Sequence, residues 1–129
     1  MDDFGMYYDR NGKPLTSDEW LALLRSPGWE DMRRVMADEI DGIFCSTVWL
    51  GIDHNYTRRG PPIIFETMVF DRKSAHPWAE GYMARYATLE EAIAGHKEVW
   101  MVIKRALANP ALVAGGKDLY RLLPGGEDE

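Results

Sequence analysis

Ile43-Phe44-Cys45-Ser46-Thr47-Val48-Trp49-Leu50 and Ile63-Ile64-Phe65-Glu66-Thr67-Met68-Val69-Phe70 are the two stretches that decide the fold. Both are dense in β-branched and aromatic residues and too short for a helix of this composition, so both read as strands. Their apolar residues fall on both faces. Ile43, Cys45 and Trp49 alternate with Phe44, Val48 and Leu50, while Ile64, Met68 and Phe70 alternate with Ile63, Phe65 and Val69. Helices on one side alone would leave the other side apolar and wet, so the pattern predicts cover on both faces or a homodimer through the second. Gly81-Tyr82-Met83-Ala84-Arg85-Tyr86 reads as a third, weaker strand, completing a three-stranded antiparallel sheet.

Upstream, Tyr7-Tyr8-Asp9-Arg10-Asn11-Gly12-Lys13-Pro14-Leu15 has the form of a short hairpin, because Asn and Gly accept the positive φ of a tight turn. Thr16 and Glu19 then make a capping box for a helix that buries Trp20, Leu21, Leu23 and Leu24. Ser26-Pro27-Gly28 breaks it, and Pro27 is placed to open a second short helix through Trp29, Met32, Val35 and Met36. Downstream, Thr88 and Glu91 form another box. The helix after it repeats Leu89, Ile93, His96, Trp100, Ile103 and Leu107 at spacings of four and three, until Asn109-Pro110 ends it. The expected architecture is therefore a single α+β domain over residues 1–110: an N-terminal hairpin, two short helices, the sheet, and a long C-terminal helix across it. Residues 111–129 combine Gly115-Gly116 and Gly125-Gly126 with an apolar cluster at Leu119, Tyr120, Leu122 and Leu123, which reads as a flexible tail holding a short docking segment.

The composition fits one globular domain: 129 residues, 46% hydrophobic, 12% aromatic and 28% charged. A formal charge of −6 disfavours long nucleic acid as a partner. That charge is uneven, since only the middle third, residues 42–86, has more basic than acidic groups. The single cysteine, Cys45, sits in an apolar run and reads as a small core residue in a reducing compartment. No run of 18 apolar residues and no leader pattern at Met1-Asp2-Asp3-Phe4 is present, so a soluble protein that stays in the cytoplasm where it is made, with no membrane partner, is expected.

In a meander of three strands the loop 51–62 and the start of the last helix fall at one end of the sheet. That end would gather His54, Asn55, Tyr56, Arg58, Arg59, Arg85 and Tyr86 with free N–H groups of a helix N-terminus. Such guanidinium, imidazole and aromatic groups suit a small anionic or nucleotide-like ligand. Glu90 and Glu91 in the helix's first turn work against this. Glu66, inside an apolar strand, needs a wet edge or a base such as Arg85. His96 reads as a hydrogen-bonded core histidine, and Asp53-His54 is a weak sign of acid–base chemistry because neighbouring side chains diverge. Three histidines without metal spacing, no phosphate-cradling loop and no serine elbow give catalysis, a metal or a cofactor little support.

Ser46 to Asn55, Pro61 to Phe70 and Arg85 to His96 together resemble a widespread, functionally unassigned family of small proteins encoded by tailed bacteriophages, over roughly residues 5 to 105. Ser46, Asp53, His54, Glu66, Arg85 and His96 match that family's pattern, whereas Tyr56-Thr57-Arg58-Arg59 fills a loop that resembles more glycine-rich versions. The resemblance implies a phage setting in the cytoplasm of a bacterial host. Taken with the candidate anion site at His54, Tyr56, Arg58, Arg59, Glu66, Arg85 and Tyr86, it leads to the expectation of a non-enzymatic accessory protein that sequesters a host anti-phage defence signal. The alternative expectation is an acidic inhibitor, with Asp18, Glu19, Glu30, Asp31, Asp38 and Glu39 of segment 1–41 occupying a basic surface of a host enzyme.

Overall fold

The structure, a computed structural model, describes residues 6–57 and 59–123. The chain is α+β, as its pattern implies, but its sheet has four strands where three were expected. β1 (Tyr7–Tyr8) and β2 (Pro14–Leu15) form the small hairpin, followed by α1 (Ser17–Leu24) and α2 (Trp29–Arg33). The sheet is an antiparallel meander in the order β3 (Arg34–Ile40), β4 (Ile43–Trp49), β5 (Phe65–Asp71) and β6 (Met83–Tyr86). α3 (Leu89–Ala108) crosses it, and a 3-10 segment, Pro110–Gly116, leads to α4 (Leu119–Leu122).

The extra strand replaces the expected continuation of the second helix through Val35 and Met36. α2 stops at Arg33, and Arg34–Ile40 pairs along the edge of β4, from Arg34↔Val48 to Ile40↔Ile43, with a bulge between Arg34 and Met36. Asp41 and Gly42 take φ of 54° and 84°, the two successive positive values that a two-residue hairpin turn needs. That turn fixes the register and overrides the helical propensity of the residues before it.

Among the described residues, only one face of the sheet is covered. β4 alternates buried and half-buried along its length, with Ile43, Cys45, Thr47 and Trp49 facing the helix. The line of α3 that enters the core is Ala92, His96, Val99, Val102, Ile103 and Ala106. This is rotated from the expected stripe, because the small Ala92 and Ala106 allow close approach while the bulky Trp100 and Leu107 pack at the flank. In α1 only Trp20 is buried, and Leu21 and Leu24 remain 42% and 40% exposed.

The core on this face falls into two clusters. At one end Ile43, Cys45, Val69, Tyr82, Val99 and Ile103 receive Leu119 and Leu123 from the C-terminal segment. At the other, Leu15, Trp20, Trp49, Ile64, Phe65 and Ala92 gather the N-terminal elements. Trp20 stacks on Tyr7 at 5.3 Å and meets Trp29 and Trp49 edge-on at 5.5 and 5.9 Å. Gly51 (φ +76°) is required beside it, since a Cβ there would lie 2.3 Å from the Trp20 ring.

Candidate functional site: a rim groove and a buried polar belt

Between the two apolar clusters lies a belt of polar side chains. Thr47 of β4, Thr67 of β5 and His96 of α3 have no solvent exposure. His96 Nε2 is 2.8 Å from an Asp38 carboxylate oxygen, and its Nδ1 is 2.7 Å from Thr47 Oγ1. Thr47 and Thr67 hydroxyls are in hydrogen-bond contact, and Tyr86 donates its phenol to Thr67 at 3.1 Å. A carboxylate only accepts, so Nε2 carries a proton. With a neutral imidazole and Tyr86 donating to Thr67, the remaining protons run one way: Thr67 to Thr47, Thr47 to Nδ1, and Nε2–H to Asp38. Each buried polar side-chain atom of this belt is thereby matched, and hydrogen bonds in such a chain reinforce one another.

Gly95 makes this geometry possible. A Cβ there would lie 2.4 Å from both a ring carbon and the hydroxyl of Tyr86, so the missing side chain lets that phenol lie against the helix. The order aspartate, histidine, hydroxyl has the layout of a catalytic triad, and Cys45 Sγ is 3.7 Å from His96 Nδ1. Neither is open to a substrate. Burial, helped by the Asp38 charge, pushes the Cys45 thiol from 9.0 up to about 12, so it stays protonated rather than nucleophilic.

The anion-site residues occupy three places. His54, Tyr56 and Arg59 are on the loop between β4 and β5, and Arg58 lies outside the described residues. Glu66 and Arg85 face each other across β5 and β6 and form an ion pair at 3.0 Å, the partner that an acid in an apolar strand needs. Tyr86 points to the opposite face, into the polar belt. The helix N-terminus is partly taken: the Glu91 carboxylate accepts from Ala87 and Thr88 N–H at 3.1 and 3.3 Å, while Thr88 Oγ1 accepts from Glu91 N–H at 3.1 Å. The acidic surface of segment 1–41 is likewise largely paired internally. Glu30 contacts Arg33, Asp31 contacts Arg34, Glu39 contacts Arg72, Asp38 meets His96, and Glu19 closes its capping box.

What survives is a groove of about 530 Å3 between the N-terminal hairpin and the loop, lined by Met6, Tyr8, Asp53, Asn55, Tyr56, Gly60 and Pro62. The loop wall is tied by its own side chains. Asp53 Oδ1 accepts from Asn55 and Ile63 N–H at 2.7 and 2.9 Å. Asn55 Nδ2 donates to the carbonyls of Arg59 and Pro61 at 2.6 and 2.8 Å, and its Oδ1 accepts the Thr57 hydroxyl at 2.6 Å. These Asx-type bonds replace regular secondary structure. His54 Nδ1 lies 2.8 Å from the Ile52 carbonyl, so Nδ1 is the protonated nitrogen and Nε2 is left for another partner. Tyr56, its ring 5.9 Å from that of His54, is 77% exposed.

No protein-family model, curated protein or solved structure matches the chain. Among the described residues no group of three or more His, Cys, Asp or Glu is placed to hold a metal ion, and no helix is long and apolar enough to cross a membrane.

The sequence pointed to His54, Tyr56 and Arg59 through their loop, but not to Asp38, Thr47, Thr67 or Gly95. Threonines alternating with large apolar residues in two paired strands, and a Gly-His step inside a helix, were the available signals. Joining them required knowing that β3 is a strand.

Proposed function

We propose that the protein is a non-catalytic binding protein that holds a small anionic, nucleotide-like ligand in the groove between the N-terminal hairpin and the 53–62 loop. The observation that carries this reading is Tyr56, an aromatic ring 77% exposed on a loop held by its own hydrogen bonds at the lip of a 530 Å3 groove. A solvent-facing ring on a tied loop is a stacking platform for a base. Arg59 and His54 Nε2, on the same loop but outside the groove's lining, are the groups that would reach a phosphate projecting from it. Asp53 lines the groove, but its Oδ1 is occupied by two backbone N–H groups, which lessens its repulsion of an anion. Arg85, bound to Glu66, is left as a structural group. Turnover is disfavoured because, in the aspartate–histidine–hydroxyl chain among the described residues, the histidine and the hydroxyl are fully buried. In the phage setting that the resemblance implies, such binding would sequester a host defence signal.

Calorimetry of the full chain against mono-, di- and cyclic nucleotides tests this. Binding is expected without consumption of the ligand, and Tyr56→Ala should weaken it by about tenfold or more, the worth of one stacked base. No binding across the set, or equal binding by Tyr56→Ala, overturns the reading. The acidic-inhibitor alternative loses ground because its carboxylates are mostly paired within the chain.

A further inference from the structure

The face of the sheet opposite α3 is laid out by strand register in three rows. Arg34, Val48, Glu66 and Arg85 stand side by side at one end, Ala37, Ser46, Met68 and Met83 across the middle, and Glu39, Phe44 and Phe70 at the other. Trp20, Trp29, the core line of α3 and Leu119 all join the clusters on the other face. Phe70 and Met83 are accordingly 37% and 38% exposed, and Phe44, Val48 and Met68 are half-buried. Phe44 and Phe70 stack at 6.2 Å, and the Arg72 guanidinium lies 3.9 Å over the Phe44 ring. A contiguous patch of this kind on a sheet marks an interaction surface.

We propose that this face docks a second copy of the chain, sheet against sheet. Its charges choose the occupant. The charges on it are closed into internal pairs, Glu39–Arg72 at 3.2 Å, Glu66–Arg85 at 3.0 Å and, at the corner beside Val48, Arg34 with Asp31 of α2 at 3.5 Å, so the patch has no net charge although the chain carries −6. A nucleic acid or a strongly basic protein finds no field to bind here. An identical copy, repelled elsewhere by like charge, meets a neutral surface.

The Glu39–Arg72 and Glu66–Arg85 pairs also lie at diagonally opposite corners, Glu39 on the β3 edge and Arg85 on the β6 edge. A twofold axis in the interface plane, along the other diagonal, sets each pair over the unlike pair of the second copy. Glu39 then faces Arg85 of the second copy and Arg72 faces its Glu66, while Ser46 and Met68 meet near the centre, the self-complementary layout of an isologous contact. The area is sufficient but not large. Four strands, the longest of seven residues, present about 19 by 23 Å, so two copies bury on the order of 1,000 Å2, the lower bound for a specific interface. The expected dimer therefore dissociates on dilution.

Sedimentation velocity of the full chain across micromolar concentrations tests this. The wild type should shift from the mass of one chain to that of two as concentration rises. Met68→Lys, which puts a charge at the centre of the face, should stay monomeric with an unchanged circular dichroism spectrum. If Met68→Lys fails to fold, Phe70→Lys at the exposed margin serves in its place. A wild type that remains monomeric throughout, or a dimer that survives the folded lysine variant, overturns the proposal.

Discussion

Each face of the four-stranded sheet carries, across part of its area, side chains that the other would ordinarily hold. The covered face carries two threonines, a histidine and its aspartate across its middle, whereas the open face carries Phe44, Phe70, Met68, Met83 and Val48. Polarity alone thus does not decide what is buried. The threonines and His96 are admitted to the interior because each has a partner there, and a matched polar group costs little to bury. The apolar residues outside are tolerated because their own crowding and two ion pairs shield them in part.

The largest effect expected from breaking this contrast is at His96. His96→Leu removes the acceptor for Thr47 and the donor for Asp38 together, leaving a buried hydroxyl chain without its end. Urea unfolding should show a loss of about 3 kcal/mol or more. Stability should next fall with alkali. Burial raises the Cys45 thiol to about 12 and raises the phenols of Tyr82 and Tyr86 above their ordinary 10.0. The folded state therefore holds these protons after the unfolded chain has begun to release them. Their contribution is complete below pH 9 and declines as pH rises through 9 to 12, so the urea midpoint should drop over that range, less steeply in Cys45→Ala.

Gly95→Ala gives a smaller change whose sign is informative. Alanine improves helix propensity by about 1 kcal/mol, but its Cβ must displace the Tyr86 ring, for a net loss of about 1–2 kcal/mol by thermal or urea melting. Smallest of all is Phe70→Ser on the open face. At concentrations where the chain is monomeric it should change stability by about 0.5 kcal/mol or less, in sharp contrast with any substitution in the polar belt.

β4, β5 and α3 could be read from the chain because their patterns are local: alternation in the strands, and a capping box followed by a helical stripe. β3 could not. Arg34-Val35-Met36-Ala37-Asp38-Glu39-Ile40 consists largely of helix-tolerant residues, and Met32, Val35 and Met36 fall at helical spacing. The Asp41-Gly42 turn was the opposing signal, and it governs because a tight hairpin commits both flanking segments to extended backbone. At the site, the Glu66–Arg85 pair was legible from the cost of an unpaired acid in a strand. The separation of Arg85 from the loop was not, because it depends on the face to which each side chain points. The Asp38–His96 contact joins residues 58 positions apart, and no local pattern encodes it. The same Thr88–Glu91 box that announces α3 also occupies the Thr88 and Glu91 N–H groups at the helix start.

The indole cluster at the N-terminal end has an optical consequence. Trp20, Trp29 and Trp49 come from α1, α2 and β4, and their ring centroids are 5.5 to 5.9 Å apart at steep mutual angles. Chromophores so close and so oriented couple their electronic transitions, so the near-ultraviolet circular dichroism of the chain should be dominated by one asymmetric signature. Because one indole belongs to the sheet and two to the elements docked against it, that signature reports whether residues 7–33 are seated. It would vanish on undocking while the far-ultraviolet signal of the sheet and α3 persisted.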